Sequence, residues 1–367
     1  MHCILSRLVM PAQPTYNVCM SIPPIDRSSL VRYQQILLSK AMPPHSLGRL
    51  SDLALDLAMI RPRPLKHLSL LLFAADHGIV EEGVTHSPVE ITYQQCLNFA
   101  RGGGACSLFA SQVDAALAVI DVAVKHTFSI SDNVVDRKVA WGSRNFLTAP
   151  ALEREACLKA VETGRQLVLQ AHERGCDAIA FGEMGVGNTT SASSMAAALT
   201  GLPVPSLTGK GSGLSDAELL HKIAVIEQAL VLHPQRAPFE VLCNLGGYEL
   251  AAIVGGMWQA AELGLPILLD GYVVSSAALV AVKLEPALAD YLITCHRSAM
   301  QGHQAILDAI GCKPPLLDLA MQLGEGTGAL AAWPLVRLAS RILFEMTSFE
   351  EGNVTNSTAL LAQLGVV

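Results

Sequence analysis

Ala178-Ile179-Ala180-Phe181-Gly182-Glu183-Met184-Gly185-Val186-Gly187-Asn188-Thr189-Thr190 passes from an apolar run through a glycine-rich turn into an Ala/Ser-rich stretch that ends at Thr200. A short continuous apolar run is the pattern of a strand buried on both faces. The stretch after Asn188 has helical length. Five more apolar runs stand out: Leu68 to Ala75, Ala115 to Val124, Glu240 to Leu245, Pro266 to Asp270 and Tyr291 to Cys295. Between them lie patterns of helical length, such as Glu153 to Arg174 and Leu214 to Val231, and Ser28 to Ile60 reads as helix broken at Pro43-Pro44. Alternating strands and helices predict an α/β fold with a parallel sheet and right-handed crossovers. Five of the six runs end in polar or glycine-rich patches: Asp76-His77-Gly78, Gly182 to Gly185, Gly246-Gly247, Asp270-Gly271 and His296-Arg297-Ser298. Ligands of such sheets bind outside the carboxyl ends of the strands, so these patches predict one shared site on one rim.

Composition narrows the function. The chain has 367 residues, a net charge of -7, 51% hydrophobic and 16% charged residues, which is ample material for a large core. The acidic balance argues against nonspecific nucleic-acid binding, and 5% aromatics are too few for a base-stacking platform. The most apolar region, Leu250 to Val282, is interrupted by Glu262 and Asp270 and predicts buried helices rather than a membrane span. Residues 1–20 lack the pattern of a signal peptide and are expected to be a disordered tail, while Thr358 to Val367 is expected to dock as a short helix. Nine cysteines are scattered without a C-x-x-C pair, as in a reduced, cytoplasmic protein.

Several motifs carry chemistry. The turn from Gly182 to Thr190 resembles a phosphate cradle, in which glycines let an anion approach the N–H groups of a helix N-terminus. Asn188 stands where a triphosphate-binding loop needs Lys, so a monophosphate fits better than a magnesium–nucleotide. A helix cap by Asn188 or Thr189 is the alternative reading of the same residues. Thr208 to Gly213 places Lys210 before a helix, on an anion or in solvent. In Gly324-Glu325-Gly326-Thr327-Gly328, glycines leave one carboxylate unshielded near a helix N-terminus, as a base or as a solvated turn residue. Asp76-His77 is expected to be a structural pair at the rim. No histidines have metal-ligand spacing, and no G-x-S-x-G elbow is present, so neither a metal nor an α/β-hydrolase is expected. Ile267 to Gly271 offers one acid where diphosphate-dependent phosphoribosyltransferases carry two.

Together these stretches resemble one family, the nicotinate-nucleotide–dimethylbenzimidazole phosphoribosyltransferases. The matching segments are PPHSLGRLSDLA (43–54), FAADHGIVEEGVTHSPVEIT (73–92), NFARGGGA (98–105), GEMGVGNTT (182–190), GKGSGLSD (209–216), LGGYELAAIVGGM (245–257), PILLDGYVVSSAAL (266–279) and LGEGTGAL (323–330). His45 departs from a Gly usual before Ser-Leu-Gly, which could alter a pocket edge, and Ser51 departs from a common Glu. The resemblance implies a Rossmann-like six-stranded parallel sheet in a large domain (63–330). A small helical domain would be built from both ends (21–62 and 331–367), and the enzyme would be a homodimer without cofactor. It implies Glu325 as the catalytic base and Glu183 as a second acid near the ribose. The acceptor-base pocket falls on Ser87, Ile91, Gln95, Met184 and Leu323. The phosphate and ribose site falls on Gly185, Gly187, Asn188, Thr189, Lys210, Gly211, Asp270, Gly271 and Ser298.

The implied reaction moves the phosphoribosyl group of nicotinate mononucleotide to 5,6-dimethylbenzimidazole, with inversion at C1′. The donor's cationic ring nitrogen leaves neutral, so it needs no general acid. The acceptor N–H becomes acidic only as its other nitrogen bonds to C1′, reaching a pKa of roughly 6 to 7, like imidazolium. A Glu raised by burial is then a matched general base. Glu183, Asp270 or both would stabilise positive charge on the ribose. Adenine, another benzimidazole or a phenol remain open as acceptors. A nucleotide sensor on the same fold is the non-enzymatic alternative, against which Glu325 between glycines argues.

Overall fold

The computed structural model describes residues 22–211, 213–356 and 365. The tail expected over 1–20 and the docking helix expected over 358–367 lie outside the described residues, Gly365 apart. Strands β1 (Leu68–Ala75), β2 (Ala116–Ala123), β3 (Val135–Asp136), β4 (Ala178–Met184), β5 (Ile267–Leu269) and β6 (Leu292–Thr294) form one parallel sheet, in the order β3-β2-β1-β4-β5-β6. Central β1 pairs with β2 (Leu72 opposite Val119) and with β4 (Leu72 opposite Gly182). Its residues Leu70, Leu72, Phe73 and Ala74 are fully buried, because helices cover both faces.

Five of the six apolar runs are strands; the run Glu240 to Leu245 is not. It forms a helix with Pro238 at its first turn, and Val241, Leu242 and Leu245 bury one face. A six-residue, mostly apolar run has no period that separates a buried strand from a buried helix. The sixth strand is instead the two-residue β3, half polar and at the sheet edge.

The helices are α1 (Leu30–Ser39), α2 (Arg49–Ile60), α3 (Glu90–Ala100), α4 (Ala105–Gln112), α5 (Arg154–Glu173), α6 (Asn188–Thr200), α7 (Val204–Leu207), α8 (Asp216–Leu232), α9 (Pro238–Leu245), α10 (Tyr248–Glu262), α11 (Tyr272–Leu284), α12 (His303–Ile310) and α13 (Thr327–Glu345). The apolar region Leu250 to Val282 resolves into α10, β5 and α11, and α10 and α11 are apolar nearly all round because they are buried nearly all round. Among the described residues no helix is long and apolar enough to cross a membrane. Helices α5 and α10 touch backbone to backbone: a Cβ at Gly164 would lie 1.8 Å from the Ala252 carbonyl oxygen. Helix α13 packs on α1 and α2, and a bridge between Lys40 and Ser348 joins the two segments.

His45, where the family resemblance has Gly, sits in the turn before α2 at φ +61°, a left-handed conformation that Gly adopts without cost. It is exposed and is not among the residues that line the cleft described below, contrary to the expected pocket-edge role.

Candidate active site

The strand order reverses between β1 and β4, the switch point at which a doubly wound sheet opens a crevice. A cleft of about 370 Å³ lies there. The turns after β4, β5 and β6 form its floor, α3 forms one wall and the turn before α13 another. Every residue singled out above for catalysis, acceptor or phosphate lines this one cleft: Glu325, Glu183, Ser87, Ile91, Gln95, Met184 and Leu323 with Gly185, Gly187, Asn188, Thr189, Lys210, Gly211, Asp270, Gly271 and Ser298.

One end suits an anion. Gly187 precedes α6 at φ +94°, and no side chain caps that helix, so neither Asn188 nor Thr189 acts as the N-cap. The Asn188 amide instead donates to the Glu183 carboxylate. The buried Lys222 ammonium lies against this helix start and donates to Thr189 Oγ1 at 2.9 Å. Burial pulls its pKa down to about 8, so the amine is mostly cationic at neutral pH. No ion pair found among the described residues includes Lys222. An unpaired buried cation at a helix N-terminus is a strong attractor for a phosphate. Lys210 is different: half-exposed at the rim, it pairs with Asp216 at 2.7 Å.

The other end holds carboxylates. Glu325 is 7% exposed, not solvated as one reading of its turn had it. Burial first, and the nearby Asp270 charge second, push its pKa up to about 7. Glu183 faces it from β4. Burial, with the charges of Asp270, Glu249 and Glu325, raises the Glu183 pKa well above the ordinary range, although the Glu325 backbone N–H donates to it. Asp270 is raised by burial to about 6, against the opposing effect of four backbone N–H donors, from Gly326, Gly328, Ala329 and Gly271. Ile91, Met184 and Leu323 give the adjoining surface its apolar character, and Leu323, 55% exposed, stands at the mouth.

Two buried histidines brace the floor. His77 Nε2 lies 2.8 Å from Glu249 Oε1 and its Nδ1 3.0 Å from Ser191 Oγ, while the Asp76 carboxylate accepts the Lys125 backbone N–H. Asp76-His77 is thus the structural pair expected. The Ser298 N–H donates to His303 Nδ1, so the ring is neutral with its proton on Nε2, toward Ser275 Oγ. Burial lowers the His303 pKa to about 4, in keeping with that state.

Lys222 and His303 were missed in the sequence, yet each left a signal. Lys222, Val225, Ile226 and Ala229 are the buried stripe of α8, and His303, Ile306, Leu307 and Ile310 that of α12. A polar residue heading an apolar i, i+3, i+4, i+7 stripe is buried for a reason other than packing.

An anion site and a buried carboxylate at the switch point of a doubly wound sheet place the protein among the α/β enzymes that handle phosphorylated ligands there. Comparison with known proteins narrows the class. A family model described as "Phosphoribosyltransferase" matches residues 22–354. The chain is 42% identical over 341 residues to the nicotinate-nucleotide–dimethylbenzimidazole phosphoribosyltransferase of Chloroflexus aggregans, covering 91% of this chain and 96% of that one. It is 44% identical over 322 residues to the protein of the same name from Pseudomonas aeruginosa, covering 86% and 92%. The crystal structure of the Thermus thermophilus protein of that name superposes with a TM-score of 0.85 at 40% identity, over 90% of this chain and 99% of that one. The chain belongs to this phosphoribosyltransferase family.

Proposed function

We propose that the protein transfers the phosphoribosyl group of nicotinate mononucleotide to 5,6-dimethylbenzimidazole, giving α-ribazole 5′-phosphate and nicotinate for assembly of the cobalamin nucleotide loop. The observation that carries this reading is Glu325: a buried carboxylate with a pKa raised to about 7 that shares one cleft with the glycine-rich start of α6 and Lys222. Relatives at 42% and 44% identity bear the name of this reaction.

In the proposed reaction the phosphate lies at the start of α6, held by the backbone N–H groups of Gly187 and Thr189 and by Lys222, with Gly185, Gly211, Gly271 and Ser298 closing around it and Lys210 at the rim. The acceptor lies against Ile91, Met184 and Leu323, with Ser87 and Gln95 at its polar edge. One acceptor nitrogen gives its lone pair to C1′. The bond from C1′ to the nicotinate nitrogen breaks, and nicotinate leaves with that electron pair. The other acceptor nitrogen then loses its proton to Glu325. At a pKa of roughly 6 to 7 that proton matches a base at about 7, the condition for efficient general-base catalysis. Glu183, held by the Asn188 amide, stands beside the ribose while the bond to nicotinate loosens. The acceptor and nicotinate occupy opposite faces of C1′, which inverts it.

A homodimer is part of the proposal, supported by exposed large apolar side chains such as Leu108, Leu319 and Leu338. So is a cytoplasmic setting, supported by buried thiols such as Cys96 and Cys295. The test is incubation with nicotinate mononucleotide and, separately, dimethylbenzimidazole, adenine and a phenol, with product masses measured. Transfer to dimethylbenzimidazole is expected. Nucleotide binding without transfer to any base would favour a sensor, and faster transfer to adenine or phenol would reassign the acceptor.

A further inference from the structure

Gly324, Glu325 and Gly326 have φ of +81°, +61° and +78°. Three successive left-handed residues make a turn that an L-residue such as Glu does not hold by preference, and flanking glycines add freedom rather than restraint. The base of the proposed reaction therefore sits on a segment that something outside it must fix. Neighbours limit the turn sterically: a Cβ at Gly182 would lie 2.8 Å from the Glu325 carbonyl oxygen, and one at Gly326 would lie 2.4 Å from Leu70 Cδ1. These contacts block motion toward the sheet but do not set the turn's hydrogen bonds.

Asp270 does. Its Oδ1 accepts Gly328 N–H at 2.6 Å and Ala329 N–H at 3.1 Å, its Oδ2 accepts Gly326 N–H at 3.1 Å, and Gly271 N–H donates to it as well. An ionised carboxylate has about four lone-pair sites. All are engaged by main-chain donors, which leaves none for a ribose hydroxyl. Asp270 stands at the end of β5, 2% exposed, so the hold is anchored in the sheet. It also serves as the N-terminal acceptor that α13 otherwise lacks, since no side chain of its own segment caps that helix.

We propose that Asp270 is the positioning residue of the base: it fixes the left-handed turn from Gly324 to Gly326 so that Glu325 faces the acceptor, and it does not bind the ribose. The proposal rests on the reading of Glu325 as general base. It replaces the ribose role that the sequence suggests for Asp270.

The test is a double-mutant cycle with pH profiles. Asp270→Asn keeps the shape but removes the charge and one acceptor. Since a misplacement of about 1 Å can cost about 10²-fold, kcat is expected to fall at least ~10-fold while KM for nicotinate mononucleotide stays within ~3-fold. In the Glu325→Gln background the same change is expected to cost less than ~3-fold, because residues that act as a unit are not additive. The acid limb of the residual Asp270→Asn activity is expected at lower pH, because a charge that raises Glu325 is gone. The other groups around Glu325 are unchanged: Glu183 from β4, with Glu249 of α10 and its partner His77 acting on Glu183, Cys106 from α4, and His296 after β6, with Lys222 in the same cleft. Gly328→Ala covers the case in which Asp270→Asn fails to fold. Its Cβ would lie 2.9 Å from Asp270 Oδ1 and 2.7 Å from His296 Cβ, which pushes the turn away with the carboxylate intact. It is expected to reproduce the kcat loss and the lack of additivity. Near-parent turnover of Glu325→Gln would sink the general-base reading itself. A slow Glu325→Gln on which Asp270→Asn or Gly328→Ala still exerts its full factor, or a tenfold rise in nucleotide KM, would overturn the positioning role alone.

Discussion

Replacing Glu325 by Gln should slow the enzyme and at the same time stabilise it. The isosteric amide keeps the side-chain volume, and the backbone N–H that Glu325 gives to Glu183 does not depend on the side chain. Turnover should fall at least ~10²-fold, about 2.7 kcal/mol of barrier, the lower end of general-base effects. Stability follows from linkage. A carboxyl whose pKa rises from 4.5 to about 7 on folding binds its proton more tightly in the folded state. The folded chain is then most stable below the ordinary pKa and loses stability as pH rises from about 4.5 through about 7. At 1.36 kcal/mol per unit, the full loss above pH 7 is at most about 3 kcal/mol, and solvent at the cleft reduces it. Gln carries no such penalty. Urea melts at pH 4 and pH 8 should therefore show the variant close to the parent at the lower pH and more stable at the higher. Equal stability at both pH values together with unimpaired turnover would refute the assignment of Glu325 as a buried base.

Lys222→Met should raise KM for nicotinate mononucleotide at least ~10-fold, a loss of about 1.4 kcal/mol at a charged phosphate contact, with a smaller change for the acceptor. Lys210→Ala, which breaks only the exposed pair with Asp216, should change it less than ~3-fold, as surface pairs contribute little. The parent kcat/KM should be bell-shaped. It should rise with pH as Glu325 ionises near 7 and fall as Lys222 loses its proton near 8, and the alkaline limb should be absent in Lys222→Met. Gly164→Ala should destabilise the fold by about 1–3 kcal/mol in denaturant melts without altering either KM, because the added methyl meets the Ala252 backbone at the contact between α5 and α10.

Much of this architecture was legible in the sequence because parallel strands are buried on both faces and so appear as uninterrupted apolar runs. The same property misled at Glu240 to Leu245, where a buried helix of eight residues shows a run no longer than a strand. Strand β3 was invisible for the opposite reason: two residues at a sheet edge carry no pattern. The rim was legible because polar patches follow the strands, and the residues named from those patches do line one cleft. Assigning contacts within the cleft needed coordinates. Lys210 and Lys222 are both cations near the glycine-rich turns, and only packing shows that one is paired at the surface and the other buried against Thr189 with no acidic partner among the described residues. Asp270 looked like a substrate ligand because it ends a strand at the rim. Its hydrogen bonds go to a helix start more than fifty residues later, a relation that local sequence does not encode.

The configuration at C1′ of the product tests the account most directly. A phosphate anchored at α6, a base at Glu325 and an acceptor opposite the departing nicotinate permit attack from one face only. Proton NMR of the nucleotide formed from nicotinate mononucleotide and dimethylbenzimidazole should show the α anomer alone, with one equivalent of nicotinate released. A β product, or an even mixture of the two, would contradict the account.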